Sequence, residues 1–193
     1  MTNVFILHGT NSHPEENYFR WLRTELESLG CRVIVPQFPT PRNQTLDNWL
    51  KVLEGYMDLY VDRTRATQDI IGVGHSLGGT VKLRYLERHD IRFKAVYTVG
   101  TAMSMESIAD YEGKEDLESF LGQPFDWDLI RSRSHRFYVF HSDNDPWVGL
   151  VHGQQLAKHL GTELTLVPNA GHFNTESGYT KFELLLEKIR PNI

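Results

Sequence analysis

The sequence predicts an α/β fold in which helices cover both faces of a parallel β-sheet. Short runs of β-branched and other apolar residues alternate along the chain with longer segments whose apolar residues recur at helical spacing. The strand-like runs are apolar at successive positions, which indicates that both faces of the sheet are buried. A length of 193 residues fits one domain, so we expect a single domain over residues 1–193.

The first part of the chain predicts two strands and two helices. Val4 to Leu7 is an apolar strand that ends at a His-Gly pair, and Arg32 to Val35 is the second strand. Glu15 to Leu29 carries apolar residues at helical spacing and is followed by a glycine, which is typical of a helix end. Three prolines between residues 36 and 41 predict a loop, and Leu46 to Tyr60 is again helical.

The rest of the chain continues the alternation. The predicted strands are Ile70–Val73, Ala95–Val99, Phe137–Phe140 and Leu164–Val167. The predicted helices are Leu77–Arg88, Val151–Leu160 and Thr175–Ile189.

One segment, residues 101–128, interrupts this rhythm. It is rich in Asp and Glu and contains the stretch FLGQPFDWDLI. A solvated excursion with a short helix is one interpretation. A cap over a site at the strand ends is the other, because long insertions in compact domains are often functional.

Composition excludes several classes of function. The net charge of −5, with no local Lys/Arg run, argues against a nucleic-acid partner. Cys31 is the single cysteine, so no internal disulfide points to an oxidising compartment. No apolar run approaches the roughly 18 residues that suggest a membrane span. We therefore expect a cytoplasmic protein with no membrane or nucleic-acid partner.

The pentapeptide Gly74-His75-Ser76-Leu77-Gly78 predicts a nucleophile. It matches G-x-S-x-G, in which a serine sits on a sharp strand-to-helix turn and small neighbours avoid collisions. Its context fits, since four apolar residues precede it and an amphipathic segment follows it. A purely structural turn is the alternative, but we expect Ser76 to be the nucleophile of a nucleophile elbow.

A serine hydroxyl needs a base, and the base needs a carboxylate to orient it. His172 is the strongest base candidate, because it follows an Ala-Gly pair directly after the sixth predicted strand. Asp143 and Asp145 both follow the fifth strand, and either could reach His172. Asp145 is favoured because Pro146 restricts the turn that would direct its carboxylate inward.

An acyl-transfer site also needs amide donors for the oxyanion. Leu77, directly after the serine, is the first predicted donor. Gly9 lets the loop after the first strand approach the serine, so the amide of Thr10 or Asn11 is the second. Phe125 and Trp127 could join Trp147 in an apolar acyl pocket, although buried aromatic residues usually belong to the core. The side chains expected next to a substrate are Asn11, His75, Trp147 and Phe173.

These motifs together resemble a minimal α/β-hydrolase fold. The stretches HGT, GHSLGG, PFDWDLIRS, SDNDPWV and NAGHFNTESGY resemble one family over nearly the whole chain, the small serine hydrolases related to retinoblastoma-binding protein nine and the YdeN-like esterases. The resemblance implies about six parallel strands in the order 2-1-3-4-5-6 and the catalytic triad Ser76, Asp145 and His172. It selects Asp145, because the family acid directly precedes proline.

The resemblance implies hydrolysis of small carboxylic esters or amides. We expect the reaction to pass through an acyl-enzyme without a cofactor or metal, and ester hydrolysis of this kind belongs to the EC 3.1.1 class. The resemblance does not extend to the retinoblastoma protein as a partner. The animal relative carries L-x-C-x-E, whereas the corresponding segment here, residues 59–63, lacks cysteine. Thioesterase, acyltransferase or peptidase activity could use the same triad. A non-catalytic interaction protein that retains the fold is the remaining alternative.

Overall fold

The computed structural model describes residues 1–62, 69–110 and 113–193. Its six strands form one sheet in the spatial order β2-β1-β3-β4-β5-β6, and every neighbouring pair is parallel. The strands are β1 (Asn3–Leu7), β2 (Arg32–Ile34), β3 (Ile70–His75), β4 (Ala95–Val99), β5 (Phe137–Ser142) and β6 (Leu164–Val167). The predicted α/β class and strand order are confirmed. Arg63, at the end of the segment compared with L-x-C-x-E, and residues 111–112 lie outside the described ranges.

Helices cover the sheet on both faces, as predicted. Two buried apolar clusters, one on each face, hold them: α1 and α7 pack in one cluster, and α2 to α6 pack in the other. No helix in the described ranges is both long and apolar enough to cross a bilayer. The helices are α1 (Phe19–Ser28), α2 (Leu46–Tyr60), α3 (Leu77–Arg88), α4 (Glu118–Leu121), α5 (Trp127–Ser132), α6 (Leu150–Leu160) and α7 (Glu183–Ile189).

Two predicted helices are shorter than their apolar spacing suggested. The helix predicted over Thr175–Ile189 is wrong in its first half, where a 3₁₀ turn at Thr175–Ser177 ends at Gly178 with a φ of +83°. A left-handed residue cannot continue a right-handed helix, so α7 begins only at Glu183. The helix predicted from Glu15 begins at Phe19, because Asn17 takes a φ of +52°.

In its described residues, 101–110 and 113–128, the segment over residues 101–128 consists of short turns and short helices, part of which packs against α3. It contains 3₁₀ helices at Met105–Ser107 and Lys114–Leu117, followed by α4. The buried Arg84 guanidinium on α3 donates to the carbonyls of Phe120 and Pro124, at 3.0 and 3.1 Å. At the other end of the segment, Ile108 forms an antiparallel bridge with Val148 in the loop after β5. The segment is therefore held against both α3 and that loop.

Parallel strands place all their carboxyl ends at one edge of the sheet. The loops after β1, β3, β5 and β6 carry the residues that the sequence analysis selected, so the fold brings these loops to one edge. That edge holds the candidate site.

Candidate active site

Ser76 occupies a sharp turn between β3 and α3. No residue separates the serine from either element, and its backbone takes φ +53° and ψ −125°. A serine at positive φ is strained by about 1–3 kcal/mol, a cost that proteins retain mainly at functional sites. The Ser76 amide donates to the Val99 carbonyl at 2.8 Å, which ties the turn to the neighbouring strand β4.

Glycines around Ser76 allow backbone approaches that no other residue would permit. A Cβ atom on Gly74 would lie 2.4 Å from the Gly79 Cα, and one on Gly78 would lie 2.2 Å from the Leu7 carbonyl oxygen. A Cβ on Gly9 would lie 2.9 Å from the Ser76 Cβ. The loop after β1 therefore passes directly beside the serine.

His172 and Asp145 form a hydrogen-bonded pair at the same edge. The His172 Nδ1 lies 2.8 Å from the Asp145 Oδ2, and the Asp145 side chain has no exposed surface. The amides of Trp147 and Val148 donate to the other carboxylate oxygen at 2.9 and 3.0 Å. Burial alone would raise the pKa of Asp145, but the bonds from His172 and from these amides outweigh it and lower the pKa. Asp145 is therefore ionised and receives the imidazole N–H.

The loop after β5 holds the loop that carries His172. Three successive side chains of the first loop accept amide hydrogens from three successive residues of the second: Asp143 from Asn169 at 2.7 Å, Ser142 from Ala170 at 3.0 Å, and Asn144 from Gly171 at 2.8 Å. Asp143 thus belongs to the turn framework, while Asp145 faces the imidazole.

His75 supports the backbone of His172. Its Nε2 lies 2.7 Å from the His172 carbonyl oxygen, so Nε2 carries the proton and donates it. Burial, together with the nearby His172, lowers the pKa of His75 to about 3. His75 is therefore neutral at physiological pH.

No hydrogen bond joins the Ser76 hydroxyl to His172, two residues that the structure describes. In many hydrolases this contact is long without substrate and shortens in the complex.

Two backbone amides are available beside Ser76. Leu77 is the first residue of α3, and an amide in the first turn of a helix has no acceptor within that helix. In the loop after β1, the Asn11 amide donates to the Thr40 Oγ1 at 2.8 Å. That bond leaves Thr10, rather than Asn11, as the candidate second donor.

These residues line a cavity of about 380 Å³. Its apolar wall comes from α3, from the segment over residues 101–128 and from the loop after β5; it consists of Leu77, Ile108, Leu117, Trp147 and Val148. Its polar wall carries two carboxylates, Glu16 and Glu176, and among the described residues no Lys or Arg lines it. Ser76, His172, His75, Thr10 and Asn11 also face this cavity.

The family model described as "Serine hydrolase" matches residues 4–190, nearly the whole chain. The chain belongs to this serine hydrolase family.

Two relatives agree with this assignment, and a solved structure shares the fold. YdeN of Bacillus subtilis (strain 168) is 27% identical over 190 residues, which cover 96% of this chain and 93% of that protein. The serine hydrolase RBBP9 of Rattus norvegicus is 27% identical over 170 residues, covering 87% and 84%. The crystal structure of the B. subtilis ydeN product matches the fold with a TM-score of 0.88 at 23% identity, covering 100% of this chain and 98% of that one.

A second solved structure supports the fold alone. Est1E of Butyrivibrio proteoclasticus, with ferulic acid bound, has a TM-score of 0.73 at 20% identity and covers 98% of this chain and 90% of its own.

Three aromatic residues lie away from the cavity of this serine hydrolase. Phe173, expected beside a substrate, is fully buried and stacks on Phe182 at 5.3 Å between ring centroids. Its apolar ring is part of the core beneath the loop. Phe125 lies under the Arg84 guanidinium, and Trp127 stacks on His159, so neither ring joins Trp147 at the cavity.

Several residues of the site were not found from the sequence. Gly100 follows β4, and a Cβ there would lie 3.2 Å from the Asp145 Oδ2 and 3.3 Å from the His172 Nδ1. Its position directly after a strand was a usable signal. Glu16 and Glu176 lie in stretches that were predicted as helix but form turns, and Ile108 lies in an irregular segment, so no sequence pattern marked these three as cavity residues. Over the described residues, no group of three or more His, Cys, Asp or Glu side chains is arranged to hold a metal ion.

Proposed function

We propose that the protein hydrolyses small carboxylic esters through Ser76, His172 and Asp145. The observation that carries this proposal is the buried Asp145–His172 pair, whose histidine lines the same cavity as a strained serine at the start of a helix. With Nδ1 bound to Asp145, the imidazole presents Nε2 as its proton acceptor. Ser76 is then the hydroxyl that this nitrogen activates.

The reaction follows from these positions. His172 Nε2 takes the Ser76 proton as Oγ bonds to the ester carbonyl carbon, and the oxyanion accepts hydrogen bonds from the Thr10 and Leu77 amides. The intermediate collapses, and the leaving alkoxide takes the proton from His172. Water then attacks the acyl-enzyme with His172 as base, which releases the acid and restores the Ser76 hydroxyl. Asp145 stabilises the imidazolium in both steps.

The cavity supports a neutral substrate of modest size. Ile108 and Leu117 of the segment over residues 101–128 line the cavity, where they would contact an acyl chain. We propose that this segment acts as a cap that forms one wall of the cavity. The carboxylates of Glu16 and Glu176 oppose substrates with an anionic carrier, which disfavours a coenzyme A thioester. The same triad serves amide hydrolysis, thioester hydrolysis or acyl transfer; the leaving group of the acyl donor distinguishes the first two, and the acceptor distinguishes hydrolysis from transfer.

The test is turnover of p-nitrophenyl acetate by purified protein. We expect Ser76→Ala to lower kcat by at least about 10⁴-fold, because no other nucleophile replaces the hydroxyl. Asp145→Asn should lower kcat by about 10³–10⁴-fold, since it disturbs the imidazole tautomer. The matched control is Ser28→Ala, an exposed serine on α1, which should retain wild-type turnover. Equal turnover by Ser76→Ala and wild type would refute the proposal.

A further inference from the structure

Gln44 joins two loops beside the candidate oxyanion site. It is a buried residue two positions before α2, and its Oε1 accepts the hydroxyl hydrogens of Thr10 at 2.6 Å and of Thr40 at 2.5 Å. The Thr40 Oγ1 in turn accepts the Asn11 amide at 2.8 Å. The three bonds connect the loop after β1 to the loop after β2, and we call them the Gln44 clamp.

In the Gln44 clamp, both threonine hydroxyl hydrogens depend on one acceptor. Each threonine hydroxyl has one hydrogen, and both hydrogens go to the same amide oxygen, which has two lone pairs. The Thr40 oxygen also accepts the Asn11 amide hydrogen with one of its two lone pairs. If Gln44 lost its side-chain oxygen, two hydroxyls would lose their common acceptor in a partly buried site.

The Gln44 clamp holds the peptide unit between Thr10, the candidate oxyanion donor, and Asn11. It holds Thr10 by its side chain and Asn11 by its amide. Asn11 takes a φ of +52°, a conformation that needs support in a non-glycine residue. The Asn11 amide is bonded to Thr40, so Thr10, which lines the cavity, is the residue of this loop whose amide can serve the oxyanion. The groups that hold Thr10 and Asn11 thus come from residues about 30 positions away.

The loop that carries Gln44 is anchored on the core. Phe38 stacks on Trp49 with 4.5 Å between ring centroids, and the Trp49 Nε1 donates to the Pro39 carbonyl at 2.8 Å. The Phe38 amide donates to the His8 Nε2 at 3.0 Å. A residue on so well supported a loop can hold its partners to a fraction of an ångström, the precision that an oxyanion site requires.

We propose that Gln44 is a positioning residue for catalysis, acting through Thr10 and Thr40 to place the Thr10 amide at the developing oxyanion. The inference rests on the proposed function, because the oxyanion forms only if Ser76 attacks a carbonyl. Gln44 touches no substrate in this account. Its loss should therefore act on the transition state and leave ground-state binding nearly unchanged.

The experiment compares Gln44→Met with wild type on p-nitrophenyl acetate. Methionine has a similar length but lacks the acceptor oxygen. We therefore expect kcat to fall by about ten- to a hundredfold, a smaller decrease than the complete loss of an oxyanion donor causes. KM should stay within about twofold of the wild-type value. Gln37→Met, an exposed residue of the same loop, is the matched control and should retain the wild-type kcat. A Gln44→Met kcat within about twofold of wild type, or a loss confined to KM, would overturn the proposal.

A second pair of variants separates positioning from folding. Thr40→Ser keeps both hydroxyl bonds, whereas Thr40→Val removes them, so the serine variant should recover most of the kcat lost in the valine variant. In a Thr10→Val background, Gln44→Met should lower kcat by a smaller factor than it does in wild type, because the Thr10–Gln44 bond is already broken and only the Thr40–Gln44 bond remains to be lost. If Gln44→Met is unfolded at the assay temperature, the Thr40 pair decides, and equal kcat values for its two members overturn the proposal.

Failure of the proposed function looks different. A wild-type protein that neither turns over p-nitrophenyl esters nor reacts with a fluorophosphonate at Ser76 would remove both the function and the inference. An active wild type with an unaffected Gln44→Met removes the inference alone.

Discussion

Replacing the buried Lys82 should make the protein more stable. Lys82 lies on α3 with no exposed surface, and within the described residues its ammonium has no hydrogen-bond partner. Its Nζ lies 4.5 Å from the ring centroid of Phe93 and 5.4 Å from that of Phe5. Burial lowers the pKa of Lys82 from 10.5 to about 7. The folded protein therefore holds this proton far less tightly than the unfolded chain does.

The sign of the pH dependence follows from this difference. Between pH 7 and 10.5 the unfolded state binds more protons than the folded state, so the free energy of unfolding rises with pH in this window. At about 1.4 kcal/mol per pKa unit, the lowered pKa costs roughly 4 kcal/mol at pH 7 and roughly 2 kcal/mol at pH 9. Most of the cost has disappeared near the ordinary lysine pKa.

Lys82→Met removes the charge and keeps an unbranched side chain. We expect the unfolding free energy of the variant to be roughly 2–4 kcal/mol higher than that of wild type at pH 7, a range that includes the loss of the cation–π contacts. At pH 10 the difference should be less than about 1 kcal/mol. Urea unfolding at several pH values measures this. Lys51→Met, exposed on α2, makes the same change in net charge and should show no such trend. A less stable Lys82→Met at pH 7, with the pH slope of wild type, would refute the reasoning.

Two further predictions concern the glycines and the cavity charge. Gly79→Ala should lower the unfolding free energy by more than about 2 kcal/mol, because its Cβ would lie 2.0 Å from the Thr101 Oγ1. Gly55→Ala on α2 should raise the unfolding free energy by about 0.5–1 kcal/mol, because its Cβ would meet no neighbouring atom within 4 Å. Urea unfolding measures both variants, and equal unfolding free energies for the two would contradict both predictions. The double variant Glu16→Gln, Glu176→Gln should raise kcat/KM for mono-p-nitrophenyl glutarate by about three- to tenfold relative to p-nitrophenyl butyrate at low salt. An unchanged ratio would show that these carboxylates do not select substrate charge.

The sheet was predictable because its signals are local. Each strand is a short apolar run, and the glycines next to Ser76 mark a turn that few other segments could form. The same reasoning failed at Gly178, whose left-handed φ interrupts an otherwise helical pattern. The spacing of apolar residues does not reveal that a single residue between them has a left-handed backbone conformation.

Side chains that form hydrogen bonds between two loops could not be predicted from the sequence. Gln44 is one polar residue in a proline-rich loop, and its partners become visible only when β1 and β2 lie side by side. Lys82 was hidden for another reason. Every residue of α3 from Leu77 to Leu86 is buried, so the polar face expected of a surface helix is absent, and a lysine there could not be recognised as buried.

Intact-protein mass spectrometry of a rapidly quenched reaction with p-nitrophenyl butyrate tests the central claim most directly. We predict a population of protein heavier by one butyryl group, with the group located on Ser76 by peptide mapping and absent from Ser76→Ala. Ester turnover with no acyl adduct on Ser76, or an adduct that persists in Ser76→Ala, would contradict the account.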